Sequence, residues 1–156
     1  MLKSLLKSVL HNVFVVAVGF AFALLGASVD KVFGFPRFHS TATLVIGVTL
    51  LTAGFLLRVW AAYHFYKHRM NVIVLSAQSH LITTGPYRFS RNPLYLGGNV
   101  FIFLGASLIL GTPGGLMLTV LHLPLVNFMI RREERQLEQS FGDAWREYAQ
   151  GTRRWI

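Results

Sequence analysis

The sequence predicts an all-α integral membrane protein with about four transmembrane helices, the last two a hairpin, and a cytoplasmic C-terminal helical segment. Composition is the first reason. Of the 156 residues 53% are apolar and only 13% charged, and mean hydropathy is +0.50, values of a membrane protein rather than a soluble domain. Clustering is the second: the apolar residues gather into runs at about 9–29, 41–63, 93–110 and 116–130, near the ~20 residues that span a bilayer as a helix. The third is an abrupt change to a polar, helix-period pattern over residues 131–156. The length fits one domain covering 1–156.

The first run follows Lys3 and Lys7 and exceeds the apolar core of a usual signal peptide, so it reads as a retained anchor helix, although Gly26-Ala27-Ser28 resembles a cleavage site. Gly34 and Pro36 interrupt the chain before the second run, which closes with Trp60, Tyr63, Phe65 and Tyr66, rings suited to a membrane interface. Arg58 lies in its last turns, and its guanidinium is expected to snorkel to the nearby surface. Asn92 and Pro93 open the third run, asparagine as a cap and proline where an N–H has no intrahelical use. Gly111-Thr112-Pro113-Gly114-Gly115 makes the hairpin turn. Both hairpin arms are near the lower limit of about 17 residues for a full crossing.

Glycines recur seven residues apart in three runs, at Gly19 and Gly26, Gly47 and Gly54, and Gly98 and Gly105. Each pair lies on one helical stripe, where small residues let backbones approach closely in lipid. In the tail, Leu137, Phe141, Ala144 and Tyr148 recur at helical spacing, with Gly142 expected to end one helix and Asp143 to cap the next.

Basic residues orient the chain. With the N-terminus inside, Lys3, Lys7, Lys67, Arg69, Arg88, Arg91 and the C-terminal arginines are cytoplasmic, leaving Lys31 and Arg37 outside. Both termini are then cytoplasmic, at the plasma or inner membrane of a prokaryote or the endoplasmic reticulum of a eukaryote. The formal charge of +9 is scattered at the edges of apolar runs, with no stripe of interleaved aromatics. Anionic lipid head groups, not nucleic acid, are the expected counter-charge.

Several chemistries are excluded. The absence of cysteine removes disulfides, thiolate nucleophiles and zinc–thiolate sites. There is no G-x-G-x-x-G after a strand, no Walker lysine and no G-x-S-x-G, and the apolar runs are too long for the strands of a Rossmann sheet. His64 and His68 are four apart but lack a carboxylate at helical spacing, so no metal site is expected. His122, just before Pro124, is expected to satisfy a carbonyl that the proline frees.

The remaining polar groups concentrate in residues 80–98, read HLITTGPYRFSRNPLYLGG. Gly85-Pro86 makes a turn, and the helix opened by Asn92-Pro93 directs its N-terminal amides at the same place, an arrangement that favours an anion. Arg88 and Arg91 are suited to a carboxylate or phosphate, and Tyr87 and Tyr95 to stacking on a base or facing a cation. Glu133 and Glu134 stand where the fourth run ends, suited to ribose hydroxyls or an ammonium group. The window is thus expected to be half of a site whose other half is the tail.

These residues resemble a known family. Gly85, Tyr87, Arg91, Pro93 and Tyr95, preceded by His80 and Leu81 and followed by Gly97, are similar to the G-x-Y-x-x-x-R-x-P-x-Y-x-G motif of the isoprenylcysteine carboxyl methyltransferase and phospholipid methyltransferase superfamily. Glu133, Glu134, Leu137, Phe141, Gly142 and Tyr148 resemble its second block, E-E-x-x-L-x-x-x-F-G. Asn92 replaces the histidine usual in the isoprenylcysteine branch, and Trp145 stands where tyrosine is common.

The resemblance implies a membrane enzyme that binds S-adenosylmethionine at the cytoplasmic face and methylates a lipid, or a lipidated or lipophilic small molecule, arriving from the bilayer. It would place His80, Gly85, Tyr87, Asn92, Tyr95, Glu133 and Glu134 around the cofactor, with Arg91, Glu134 and Arg153 as the catalytic set. Two other functions share part of the pattern. One is a sterol-type membrane reductase using NADPH, and the other a non-enzymatic scaffold whose basic face binds anionic lipid.

Overall fold

The computed structural model describes residues 2–68, 70, 72 and 79–156; Arg69, used above to orient the chain, lies outside them. The first helix, α1 (Leu2–Phe33), extends beyond the apolar run at both ends and stops at Gly34, whose φ is 71°. Hydropathy marks only its core, because lysines such as Lys3 and Lys7 are good helix formers and do not end a helix. Helix α2 (Thr41–Lys67) starts from a reciprocal cap in which Ser40 and Thr43 each accept the other's backbone N–H at 3.1 Å. After a 3₁₀ turn at Gly85–Arg88, the third apolar run is the helix α3 (Pro93–Ile109), wound as a π-helix over Leu96–Ile102. Helix α4 (Pro113–Phe141) follows, and α5 (Asp143–Gly151) ends the helical chain.

Three helices, α1, α2 and α4, are long and apolar enough to cross a membrane. The expected count of four is met for three, because Pro93–Ile109 is shorter. It nevertheless runs antiparallel along α2, its Leu94 level with Arg58 and its Gly105 level with Gly47. The fourth run also departs from expectation. Helix α4 begins at Pro113, where Thr112 Oγ1 accepts the Gly115 N–H at 3.1 Å, and continues through the charged residues to Phe141 without a break at the apolar boundary.

Glycines hold the bundle together. A methyl group at Gly54 would stand 2.5 Å from the Gly97 carbonyl oxygen, one at Gly105 2.7 Å from the Gly47 carbonyl oxygen, and Gly26 abuts Gly114 and Gly115. These contacts fix α1 on α4 and α2 on α3 at backbone distance, which only residues without a side chain allow. At the end of the bundle away from the polar window, the buried Asp30 carboxylate accepts from Thr112 Oγ1 at 2.5 Å and from the Gly114 N–H at 2.6 Å. The carboxylate thereby satisfies orphan donors at the start of α4 and complements its dipole.

Four local expectations change. Arg58 does not snorkel: it is 7% exposed, donates from Nε to Asn12 Oδ1 at 2.7 Å and from Nη1 to the Leu94 carbonyl, and lies over Gly97 and Gly98. The glycines make room for its stem, and α1 supplies polar partners that a surface position would have taken from water. Asn92 occupies the cap position of α3 without a side-chain cap bond, its amide being engaged elsewhere. Asp143 does not cap α5 either. Gly142 at φ 53° takes that place, and Asp143 accepts from Arg146 Nη1 at 2.9 Å. His122 bonds the Thr119 carbonyl at 2.7 Å rather than the Val120 carbonyl that Pro124 frees, and its Nε2 reaches Asn99 Oδ1 at 3.2 Å.

Candidate functional site

The polar window and the tail meet. The last turns of α4 carry Glu133 and Glu134 back to the start of α3, and α5 folds across the 3₁₀ turn, with Tyr148 Oη donating to the Tyr87 carbonyl at 2.7 Å. Beyond α5 the chain becomes extended at Thr152 (φ −129°, ψ 131°) and runs alongside residues 90–92. The Arg91 N–H donates to the Arg153 carbonyl at 2.9 Å, and the Arg154 carbonyl accepts from Asn92 Nδ2 at 3.1 Å and Ser90 Oγ at 3.3 Å.

A cavity lies between these elements, with about 40 Å³ of free space. One wall comes from Phe65 of α2, Leu81 and Ile82; the 3₁₀ turn and the start of α3 add Tyr87, Arg91, Asn92 and Tyr95. The opposite wall comes from Glu133, Glu134 and Leu137 of α4 with Trp145 and Tyr148 of α5. The expected inward face of α5 is corrected here. Trp145 is 5% exposed and Ala144 faces out, so the buried face runs through Trp145 and Tyr148.

Glu134 is the electrostatic hub. Arg154 grips it with Nε at 3.0 Å and Nη2 at 2.7 Å, Arg91 Nε stands 3.3 Å away, and Asn92 Nδ2 3.5 Å away. Such a fork-shaped pairing is both strong and directional. The Arg154 guanidinium is held above its usual range by its hydrogen bonds to Glu134. Arg91 has further ties: Nη1 donates to the Ala149 carbonyl at 2.8 Å, and its guanidinium carbon lies 5.8 Å from the Trp145 ring centroid.

Two buried polar atoms lack a hydrogen-bond partner among the described residues: the Tyr87 hydroxyl and Arg91 Nε, whose contact with Glu134 is an ion pair without hydrogen-bond geometry. Burial raises the Tyr87 phenol well above its ordinary range, and the nearby Glu133 charge pushes it the same way, so it stays a neutral donor. Tyr148 is pushed up to about 12, also by burial, against the opposing pull of Arg91.

Of the residues expected at the site, Tyr87, Arg91, Asn92, Tyr95, Glu133 and Glu134 line the cavity. His80, Gly85 and Arg153 do not. His80 is exposed and stacks on His68 at 4.9 Å between ring centroids, apart from the residues that line the pocket. Gly85, at φ 63°, lies against the His64 ring, where a side chain would collide. Arg153 contributes only its carbonyl, its side chain being exposed, and the neighbouring Arg154 takes the inward place. Arg88 is exposed too. The signal that separates Arg154 from Arg153 is the alternation of side chains along an extended segment.

Long apolar helices enclose a charged, aromatic pocket at one end of the bundle. The chain belongs to the phospholipid methyltransferase family, whose profile matches residues 42–144. The match covers α2, α3, α4 and the start of α5, and so the lining of the pocket except Trp145 and Tyr148. An uncharacterized protein of Haemophilus influenzae is 38% identical over 58 residues, 36% of this chain and 92% of that protein. No solved structure matches the chain. The family and the three long apolar helices together make this a membrane methyltransferase.

Proposed function

We propose that the pocket between α3, α4 and α5 binds S-adenosylmethionine and that the protein transfers its methyl group to a lipophilic acceptor arriving from the bilayer. The observation that carries this reading is the donor set. A carboxylate, Glu133, and two tyrosines, Tyr87 and Tyr95, share one small cavity with the indole of Trp145 and an arginine. A cofactor with an ammonium, a sulfonium, ribose hydroxyls, a purine and a carboxylate needs that mixture. The unpartnered Tyr87 hydroxyl fits it further, since a buried donor without an acceptor costs about 1–3 kcal/mol and is relieved by a ligand that supplies one, and Arg91 Nε, ion-paired to Glu134 without hydrogen-bond geometry, has a hydrogen bond to offer.

Within this reading Glu133 faces the cationic and hydroxyl parts of the ligand, Tyr87 donates to it, and Arg91 receives its carboxylate. Asn92 and Tyr95 border it. Glu134 acts differently from expectation: held by two arginines, it orients Arg91 and ties down the tail rather than taking a proton. His80, Gly85 and the Arg153 side chain have no part in it.

S-adenosylmethionine, held there by Glu133, Tyr87 and Arg91, would supply a methyl group on a sulfonium: a lone pair of the acceptor would form the new bond and the sulfur would keep the electrons of the broken C–S bond. The protein's work is to hold the acceptor in line and to keep water from its nucleophilic atom. Trp145, Tyr148, Phe65 and Ile82 provide the apolar part of that exclusion. By the distribution of arginine and lysine, this end of the bundle faces the cytoplasm. Purified protein should therefore bind S-adenosylhomocysteine and gain no thermal protection from NADPH. Protection by NADPH alone would replace this reading with the reductase, and stabilisation by anionic lipid with indifference to both cofactors would replace it with the scaffold.

A further inference from the structure

We propose that residues 152–156 form a strap that must lift to admit a ligand, with the Arg154–Glu134 pair as its catch. The inference rests on the reading that the pocket receives a nucleoside-sized molecule. Free space of about 40 Å³ holds a few waters, whereas pockets for ligands of that size run from about 300 Å³ upward. One wall has to move.

The α2–α3 wall is fixed by backbone-to-backbone contacts at Gly54–Gly97 and Gly47–Gly105, which have no slack. The tail wall is held by hydrogen bonds, and residues 152–156, which do not line the cavity themselves, tie that wall to the start of α3 by a few of them: Arg153 and Arg154 carbonyls on Arg91, Ser90 and Asn92, and the Arg154 fork on Glu134. Only the fork joins opposite charges. It is also built to open, because the Arg154 side chain is 33% exposed and water can replace Glu134. When it leaves, Glu134 keeps Arg91 at 3.3 Å, so no lone buried charge is stranded.

Substituting Arg154→Gln tests this in two independent ways. Without any ligand, the Arg91 amide, protected by the Arg153 carbonyl, should exchange its hydrogen about tenfold faster, the loss expected for one charge-assisted contact. With S-adenosylhomocysteine, association and dissociation should both accelerate about tenfold while Kd changes little. Arg154→Lys, which keeps the charge but not the fork, should fall between and guards against a misfolded first variant. Unchanged Arg91 exchange would overturn the strap. Faster exchange with an unchanged association rate would also overturn it, because the strap would then open without admitting anything. A wild-type protein that binds no S-adenosylhomocysteine would instead sink the cofactor reading, while exchange at Arg91 would still decide the strap.

Discussion

The pocket has two walls built on different physics. The α2–α3 side is assembled by glycines at backbone distance, and its one buried charge, Arg58, is enclosed by Asn12, His11 and the Leu94 carbonyl. The α4–α5 side is assembled by side chains: Glu134 between two arginines, Tyr148 on the Tyr87 carbonyl, Arg91 on the Ala149 carbonyl. Close packing has a single solution and loses everything when a side chain is inserted, whereas hydrogen bonds can be exchanged for water one at a time. A single inserted side chain therefore breaks the first wall, whereas the second can yield bond by bond.

Breaking the first wall should have the largest effect. Gly54→Val places a side chain against the Gly97 carbonyl and Phe101, and is expected to cost about 3 kcal/mol or more, read as loss of a cooperative thermal transition in detergent. The second wall and its ligand are probed by Tyr87→Phe. Removing an unpartnered buried hydroxyl should leave the melting temperature unchanged or slightly raised, while S-adenosylhomocysteine binding weakens by about tenfold. Glu133→Gln should weaken binding at least as much. If either variant bound normally, Tyr87 or Glu133 would be only a wall.

Smaller effects follow in the tail. Tyr148→Phe deletes one hydrogen bond between α5 and the 3₁₀ turn and should cost about 1 kcal/mol, visible in chemical denaturation with the bundle otherwise intact. The same residue gives an alkaline signature. Its phenol rises from 10.0 to about 12 in the folded protein, so folding disfavours the phenolate. The stability it contributes is fully present below pH 10 and is lost as pH rises toward 12. Tyr148→Phe should remove that dependence, and phenolate absorbance during a pH titration would follow it.

Much of this was legible in the sequence, and the failures share causes. Apolar runs located the helices because burial in lipid requires them, but the helices extend past those runs wherever good helix formers such as Lys3, Arg131 and Glu134 continue them. The turn at Gly111 and the interruption at Gly142 were readable because positive φ favours glycine. The two halves of the pocket were readable as motifs, and both line the cavity. Arg58 was misread because periodicity does not reveal what a neighbouring helix offers, in this case Asn12. Arg154 was missed beside Arg153 because the choice between adjacent arginines depends on where α5 ends and an extended segment begins. The π-helical winding of Leu96–Ile102 has no signature in composition that would set it apart from an ordinary apolar helix.

The central claim is that the pocket lined by Tyr87, Arg91, Tyr95 and Glu133 is a methyl-donor site. Calorimetric titration of the purified protein with S-adenosylhomocysteine tests it most directly, with Tyr87→Phe and Glu133→Gln titrated alongside. A methyl-donor site would show one saturable transition in the wild-type protein, weakened about tenfold or more in both variants, whose melting temperatures do not fall. A wild-type titration with no saturable heat, or equal affinity in all three proteins, would contradict it.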